Sequence, residues 1–331
     1  MNPEGDEAIE IDSSEHDSGF EDEMSSYTAS IRSSILEYPF EHGRRYHAFR
    51  HGGEFGRELD TYCLPNDEAE QDRLDLTHLL SMRSIGEKLF LAPIDPSSMR
   101  RILDIGTGTG IWAMAMGDEY PGVEIVGNDL SAIQPSWVPP NVRFVIDDVE
   151  LPWAEQDPFD FIFCRYMASS IKDWPGLVSQ IYEHITPGGW AEFQDYNLNF
   201  YANDDSYEGT ATQMWINAFM QACRVNGAEG SPGAYLEGWV RDGGFINMGH
   251  ERFVIPVGPW AKDRRLKELG WLNLEQILNG LEGFSFKLLG HVLGWDHETI
   301  VETLAKVREE LTSRKLHIQF DLHVVYGQKP L

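Results

Sequence analysis

The stretch Arg101–Trp112, RILDIGTGTGIW, limits the possible folds more than any other part of the chain. A short apolar run ends in closely spaced glycines and leads into a second apolar segment. A strand, a glycine turn and a helix in that order open a crossover unit of a parallel α/β sheet. The glycines let backbone approach a ligand, and the helix N-terminus offers unpaired N–H groups. Two registers fit. Gly106, Gly108 and Gly110 read as G-x-G-x-G; from Gly108 the reading is G-x-G-x-x-A, ending at Ala113. The second is the dinucleotide-binding pattern, and Asp129 stands where that pattern expects a ribose-binding acid. Against it, Asp104 places a carboxylate just before the turn, which suits an ammonium and repels a pyrophosphate. Trp112 is also bulky where dinucleotide binders need close helix packing.

The pattern after Arg100 alternates short strands and helices. Strands are expected at Arg101–Ile105, Val123–Asn128, Val142–Ile146, Phe159–Cys164 and Trp190–Asp195, with helices such as Ile111–Gly117 and Trp174–Ile185 between them. This predicts a doubly wound α/β sheet. Later come a helical stretch over Ser206–Asn226, a strand over Ile246–Val257, a helix-rich Asp263–Leu311 and a final strand alternating at Ile318, Phe320, Leu322 and Val324. Upstream, the sequence from Leu64 to Pro93 reads as one long helix capped by Asn66 or Asp67, with Leu76, Leu79, Leu80, Ile85 and Leu89 on its apolar face. Pro93 and Pro96 are expected to end it.

Acids recur at the strand ends: Asp104 after the first, Asp129 after the second, Asp147 and Asp148 after the third. Neighbouring parallel strands open their carboxyl ends onto one crevice. Carboxylates there suit a ligand with an amine, ribose hydroxyls and an exocyclic adenine amine but no phosphate. S-adenosylmethionine fits. Asp129 would accept from both ribose hydroxyls, Asp148 from the adenine amine, and the Val149 N–H would donate to a ring nitrogen. Asp104 would orient the methionine ammonium through the loop or a water.

The chain has 331 residues and a net charge of −28. Such acidity disfavours binding to nucleic acid or anionic lipid. Residues 1–30 carry acids from Glu4 to Glu23, interleaved with serines and with no Lys or Arg, and read as a disordered tail. A basic protein partner for this tail is an alternative. Cys63, Cys164 and Cys223 are scattered and suggest neither zinc nor disulfides. No signal peptide is read, and no apolar run approaches the ~18 residues of a membrane span. The expectation is a soluble protein of the cytoplasm, with the nucleus as alternative.

The segments ILDIGTGTGIW, VEIVGNDLS, RFVIDDVELPW, FDFIFCRYM and ITPGGWAEFQDY, in this order and spacing, resemble class I S-adenosylmethionine-dependent methyltransferases. The upstream GRRYHAFRHG…YCLPNDEAEQDRLDLTHLL is similar to the LaeA-like family of fungal methyltransferases. The likeness runs from about Tyr38 to Lys329, although HGGEFGRELDT, just after Arg50, is longer than the family pattern. It implies a Rossmann-like sheet of seven strands, the last antiparallel. It also implies a cap over residues 31–97 and a methyltransferase domain over 98–331, with helical insertions at about 203–242 and 258–315 acting as a lid over the acceptor. The implied cofactor-facing set is Tyr46, Asp104, Gly106, Thr107, Gly108, Gly110, Asn128, Asp129, Leu130, Asp147, Asp148, Val149 and Arg165, with Tyr46 or His47 near the methionine end and Tyr166 beside Arg165 in the cleft.

Methyl transfer is an in-line displacement on an activated donor, so alignment and exclusion of water are the protein's main tasks. A general base is needed only for a weakly acidic hydroxyl; His47, Tyr166 and Asp195 are the candidates. Trp112, Trp190 and Trp215 read as core; Trp260, Trp271 and Trp295 lie in the lid and read first as core packing, with an apolar acceptor pocket as the alternative. CRYM replaces the [D/N]-P-P-[Y/F/W] of many adenine and amide methylators, and no metal-ligand spacing is read. The expected activity is O- or N-methylation of a small molecule in fungal secondary metabolism. The alternatives are a LaeA-like regulator working with velvet-type partners and, third, an NAD-dependent oxidoreductase.

Overall fold

A computed structural model of the chain describes residues 38–47, 63–153 and 157–331. The acidic tail expected over 1–30, Phe49 and the stretch following Arg50 lie outside the described residues.

A two-residue hairpin, β1 (Phe40–Glu41) and β2 (Arg44–Arg45), precedes helix α1 (Glu68–Ser84). Then come β3 (Arg101–Ile105), α2 (Ile111–Glu119), β4 (Glu124–Asp129), β5 (Val142–Ile146), β6 (Phe159–Arg165), α3 (Trp174–His184) and β7 (Ile185–Ala202). Helices α4 (Ala211–Val225) and α5 (Leu236–Asp242) lead to β8 (Ile246–Pro256). Helix α6 (Arg264–Ser285), a π-helical stretch (Phe286–Val292) and α7 (His297–Thr312) lead to β9 (Ile318–Gln328).

Seven strands form one sheet in the order β5-β4-β3-β6-β7-β9-β8. The last strand, β9, runs antiparallel to β7 and β8, whereas β3 to β7 pair in parallel. After β3 the chain adds strands on one side, then returns to the other side with β6. The carboxyl ends of β3 and β6 therefore flank the switch point where such sheets bind ligands. Alternation along the strands supplies both faces. Ile102, Ile125, Phe161 and Phe163 pack on α2, where Trp112 stacks on Phe163 at 4.0 Å. Leu103, Val126, Ile162 and Cys164 face the other way, onto Trp174, Leu177 and Val178 of α3 and Leu236 and Val240 of α5. A third cluster joins α4, α6, the π-helix and α7 to the ends of β7 and β9.

Two local expectations are corrected. The long upstream helix stops at Ser84 rather than near Pro93. Gly86 adopts φ 81°, and Glu87 N donates to Met82 O at 2.8 Å, a Schellman closure that ends the helix before the prolines are reached. Ile85 and Leu89 consequently lie beyond the helix rather than on its face. The strand expected at Trp190–Asp195 runs from Ile185 to Ala202, because its pairing with β9 extends it at both ends. Asp67 is the N-cap of α1, accepting from Glu70 N at 3.0 Å, and it also binds Arg44 at 2.6 Å.

Candidate active site

The turn after β3 passes through Gly106, Gly108 and Gly110 with φ of 63°, 57° and 79°. A Cβ on Gly106 would lie 2.3 Å from the Met167 sulfur, and one on Gly110 would lie 2.3 Å from the Phe144 ring. Both the left-handed backbone and the close approach demand glycine. The polar groups of β3 and β4 shape this loop. Asn128 Oδ1 accepts from Gly106 N at 3.3 Å, and Thr107 N donates to the Asn128 carbonyl at 2.9 Å. Asp129 accepts from Gly108 N and from Ser131 N, each at 2.9 Å. The Thr107 hydroxyl donates to Asp104 at 2.6 Å. Burial lifts the Asp104 carboxyl to about 7 and that of Asp129 to about 6.

A cavity opens above this loop. Its floor is Gly106, Thr107, Gly108, Asn128, Asp129 and Leu130; its sides are Asp147, Asp148, Val149, Arg165, Tyr166 and Met167. Asp148 N donates to Asp147 Oδ1 at 2.9 Å, and Asp148 Oδ1 accepts from Glu150 N at 3.0 Å. Helix α1 forms the roof with Leu74, Thr77 and His78, and it is tied to the loop by Thr109 donating to Asp75 at 2.7 Å. His78 Nδ1 sits 2.7 Å from an Arg165 guanidinium nitrogen. A guanidinium only donates, so Nδ1 accepts and Nε2 carries the hydrogen. Burial, then the Arg165 charge, hold His78 down at about 3, so it is neutral at ordinary pH. The other terminal nitrogen of Arg165, Nη1, is buried and has no hydrogen-bond partner among the described residues. A buried guanidinium nitrogen beside an imidazole N–H is donor chemistry that suits an anionic group.

A second cavity adjoins the first across Leu64, Tyr166 and Ala168. Its walls are aromatic and aliphatic: Tyr196, Leu198 and Phe200 from β7, Trp215, Ile216 and Phe219 from α4, Ile277 and Phe284 from α6, and Phe320 from β9. Ser169 and Gln276 complete it. Behind Tyr166, a fully buried Arg73 pairs with Glu70 at 2.6 Å and donates to the Tyr166 hydroxyl at 3.0 Å.

Of the expected site residues, the first cavity gathers Gly106, Thr107, Gly108, Asn128, Asp129, Leu130, Asp147, Asp148, Val149, Arg165 and Tyr166. Asp104 and Gly110 stand behind the loop, Asp104 reaching it through Thr107. Tyr46, His47 and Asp195 line neither cavity. Tyr46 is buried, with Lys287 Nζ 4.1 Å from its ring centre. His47 is likewise buried. Asp195 accepts from Met167 N at 2.7 Å and Tyr196 N at 2.8 Å, so its oxygens hold backbone. Among the tryptophans, Trp215 lines the second cavity; Trp260 donates to the Ile318 carbonyl and Trp271 is half exposed. Sequence reasoning missed His78, Arg73 and Gln276. Helix α1 buries mostly polar residues, among them Glu70, Arg73, Thr77, Ser81 and Ser84, while Leu79, expected on its apolar face, is exposed; apolar periodicity therefore gave no signal for His78 or Arg73, and Gln276 left none. The neighbours Glu41 and His42 also meet the distant His291 at the surface, with Glu41 Oε1 and His291 Nε2 2.6 Å apart.

The strand order, with its one antiparallel strand, and acids at the ends of β4 and β5 around a glycine turn define a class I S-adenosylmethionine-dependent methyltransferase. A methyltransferase-domain family model matches residues 76–248. Methyltransferase pytC of Aspergillus terreus is 46% identical over 303 residues, covering 91% of each chain. The protein-methionine methyltransferase laeA of Emericella nidulans is 34% identical over 309 residues, covering 91% of this chain and 79% of its own. The chain belongs to the LaeA-like family of fungal methyltransferases, and its cofactor is S-adenosylmethionine. Among solved structures, Haemonchus contortus phosphoethanolamine N-methyltransferase 2 with S-adenosylmethionine gives a TM-score of 0.46 at 19% identity, covering 82% of this chain and 55% of the other. No helix among the described residues is long and apolar enough to cross a membrane.

Proposed function

We propose that the first cavity seats the cofactor and the second its acceptor, a small molecule methylated at oxygen or nitrogen in secondary metabolism. The observation carrying this reading is the pair of cavities that meet at Tyr166. The donor set fits the cofactor. Asp129 takes the ribose hydroxyls, Asp148 and the Val149 N–H take the adenine, and the turn from Gly106 to Gly110 admits the chain's backbone close to the ligand. Asp104 acts through Thr107 on the ammonium end, and Arg165 with His78 receives the carboxylate. Bound there, S-adenosylmethionine supplies a methyl group already activated on a sulfonium. The protein's work is to hold the acceptor in line and to keep water out, which the roof of α1 and the apolar second cavity serve. Of the three base candidates, Tyr166 alone faces both cavities; Asp195 serves by pinning Met167, and His47 by packing. Kinship with pytC supports the tailoring reading.

A second reading is supported by the kinship with laeA, whose relatives carry the name secondary metabolism regulator. In it the protein works in a complex with velvet-type partners, the acidic tail meeting a basic partner, and acts in the nucleus rather than the cytoplasm. Comparative metabolite profiling of a deletion strain separates the two. Tailoring predicts accumulation of one unmethylated precursor, and an Asp129→Ala allele reproduces it. Regulation predicts coordinated loss of many products with their transcripts; that outcome would sink the tailoring reading.

A further inference from the structure

The second cavity carries information about what it accepts. Among its described lining residues there is no Asp, Glu, Lys or Arg. An ammonium would be buried there with no acid to pair with and with the Arg73 guanidinium behind Tyr166 and Gln276, whereas hydroxyl donors are at hand for an anion. Trp215, Phe219, Phe284 and Phe320 instead offer ring faces and edges to a flat apolar body.

Its polar groups are more selective than its walls. Gln276 is held in place, its carbonyl oxygen accepting from Arg73 at 3.1 Å and its amide nitrogen donating to Asn273 at 2.9 Å, which leaves one amide hydrogen. Tyr196 shares its hydroxyl with Ser81 at 3.2 Å. Tyr166 differs. Its oxygen accepts from Arg73 at 3.0 Å, and no described group accepts its O–H. A phenol oxygen that accepts from a guanidinium becomes a stronger donor through its own hydrogen. The Arg73–Glu70 pair is oriented, with Arg73 toward Tyr166 and Gln276 and Glu70 on the far side, so the positive end points at the cavity. Ser169 adds a second hydroxyl with no described partner. Both residues hold left-handed backbone, Tyr166 at φ 59° and Ser169 at φ 66°, a strain that persists only where surroundings impose it. Asp195 imposes it here by accepting from Met167 N and Ala168 N between them.

We propose that the second cavity binds a flat, apolar phenol or enol as its oxyanion, with the Tyr166 hydroxyl, polarised by Arg73, and the Ser169 hydroxyl donating to that oxygen. Tyr166 is then a hydrogen-bond donor, not a base; the acceptor's proton leaves to solvent on binding. This narrows the acceptor under the proposed function and rests on that reading. Burial keeps the Tyr166 phenol itself protonated, as a donor must be.

The probe is 4-nitrophenol, whose coloured anion is distinguished from the neutral phenol by absorbance. Protein saturated with S-adenosylhomocysteine is titrated with it across pH. Binding is expected, with the bound phenol titrating about one pH unit below the free one, the worth of one charge-assisted hydrogen bond. Tyr166→Phe is expected to keep the chromophore and to remove most of the shift, leaving the share due to Ser169. Ile216→Trp, which fills the cavity, is expected to abolish binding while calorimetry shows unchanged S-adenosylhomocysteine affinity. Should that variant misfold, quenching of Trp215 by the bound chromophore reports the location, and Trp215→Phe removes that component. Failure to bind, binding as the neutral phenol, a shift undiminished in Tyr166→Phe, or displacement by the ammonium phenethylamine, which has no phenol, would each overturn the proposal. Calorimetry without nitrophenol tests the cofactor site separately, so failure of that reading is recognised on its own.

Discussion

Asp104 shows how one residue shapes both fold and site. It is buried behind the glycine turn, and its carboxyl is lifted to about 7 from the ordinary 3.8. Between those values the folded chain holds a proton that the unfolded chain has released. The group's contribution is therefore complete below about 4 and is lost as pH rises through about 7. Asp104→Asn removes the titration, while its amide oxygen can still accept from Thr107. Urea melts should show the wild type losing stability relative to this variant from pH ~4 to ~7; a difference constant with pH would mean the carboxyl is charged in the folded protein. His78, held at about 3, acts in the opposite sense below about 6.5 in both proteins and cancels in the comparison. Gly106 is constrained differently. Gly106→Ala places a methyl group against the Met167 sulfur in left-handed backbone, at about 1–2 kcal/mol for the conformation alone. Calorimetry should find weakened S-adenosylhomocysteine binding in a protein that still folds.

Helix α1 is the element in which the sequence was read least completely. Its start was legible because an N-cap and first-turn acids are local chemistry. The glycine turn and the strand-end acids were legible for the same reason. Its end was misread because a Schellman closure at Gly86 needs no proline. Its function was missed because both Arg73 and His78 take their meaning from residues some ninety positions away, Tyr166 and Arg165. The second cavity was invisible for that reason too. Apolar residues of α4 and α6 carry the same helical spacing whether they face core or an open chamber. The buried Arg73–Glu70 pair gives α1 a measurable dependence. Arg73→Met should destabilise the protein by about 3–5 kcal/mol in chemical denaturation, since it strands the Glu70 carboxylate, and adding Glu70→Gln should recover part of the loss. An additive double variant would argue that the pair is not coupled.

At the scale of the whole molecule, ligand binding to the folded state is a stability measurement. S-adenosylhomocysteine at a hundredfold excess over its dissociation constant should add about 2.7 kcal/mol, raising the melting temperature by several degrees, whereas NAD should leave it unchanged. A rise with NAD would return the turn to its dinucleotide register. The two chambers draw on separate parts of the chain. The first cavity is built mostly from residues 74–171, and most of the second lies between 196 and 320. Among the described lining residues only Leu64, Tyr166 and Ala168 belong to both. A duplicated gene can therefore accumulate changes in its α4 and α6 walls, and acquire a new guest, while the methyl-donor machinery stays under undisturbed selection. Divergence of acceptor choice in such a lineage should be written in the distal half of the chain.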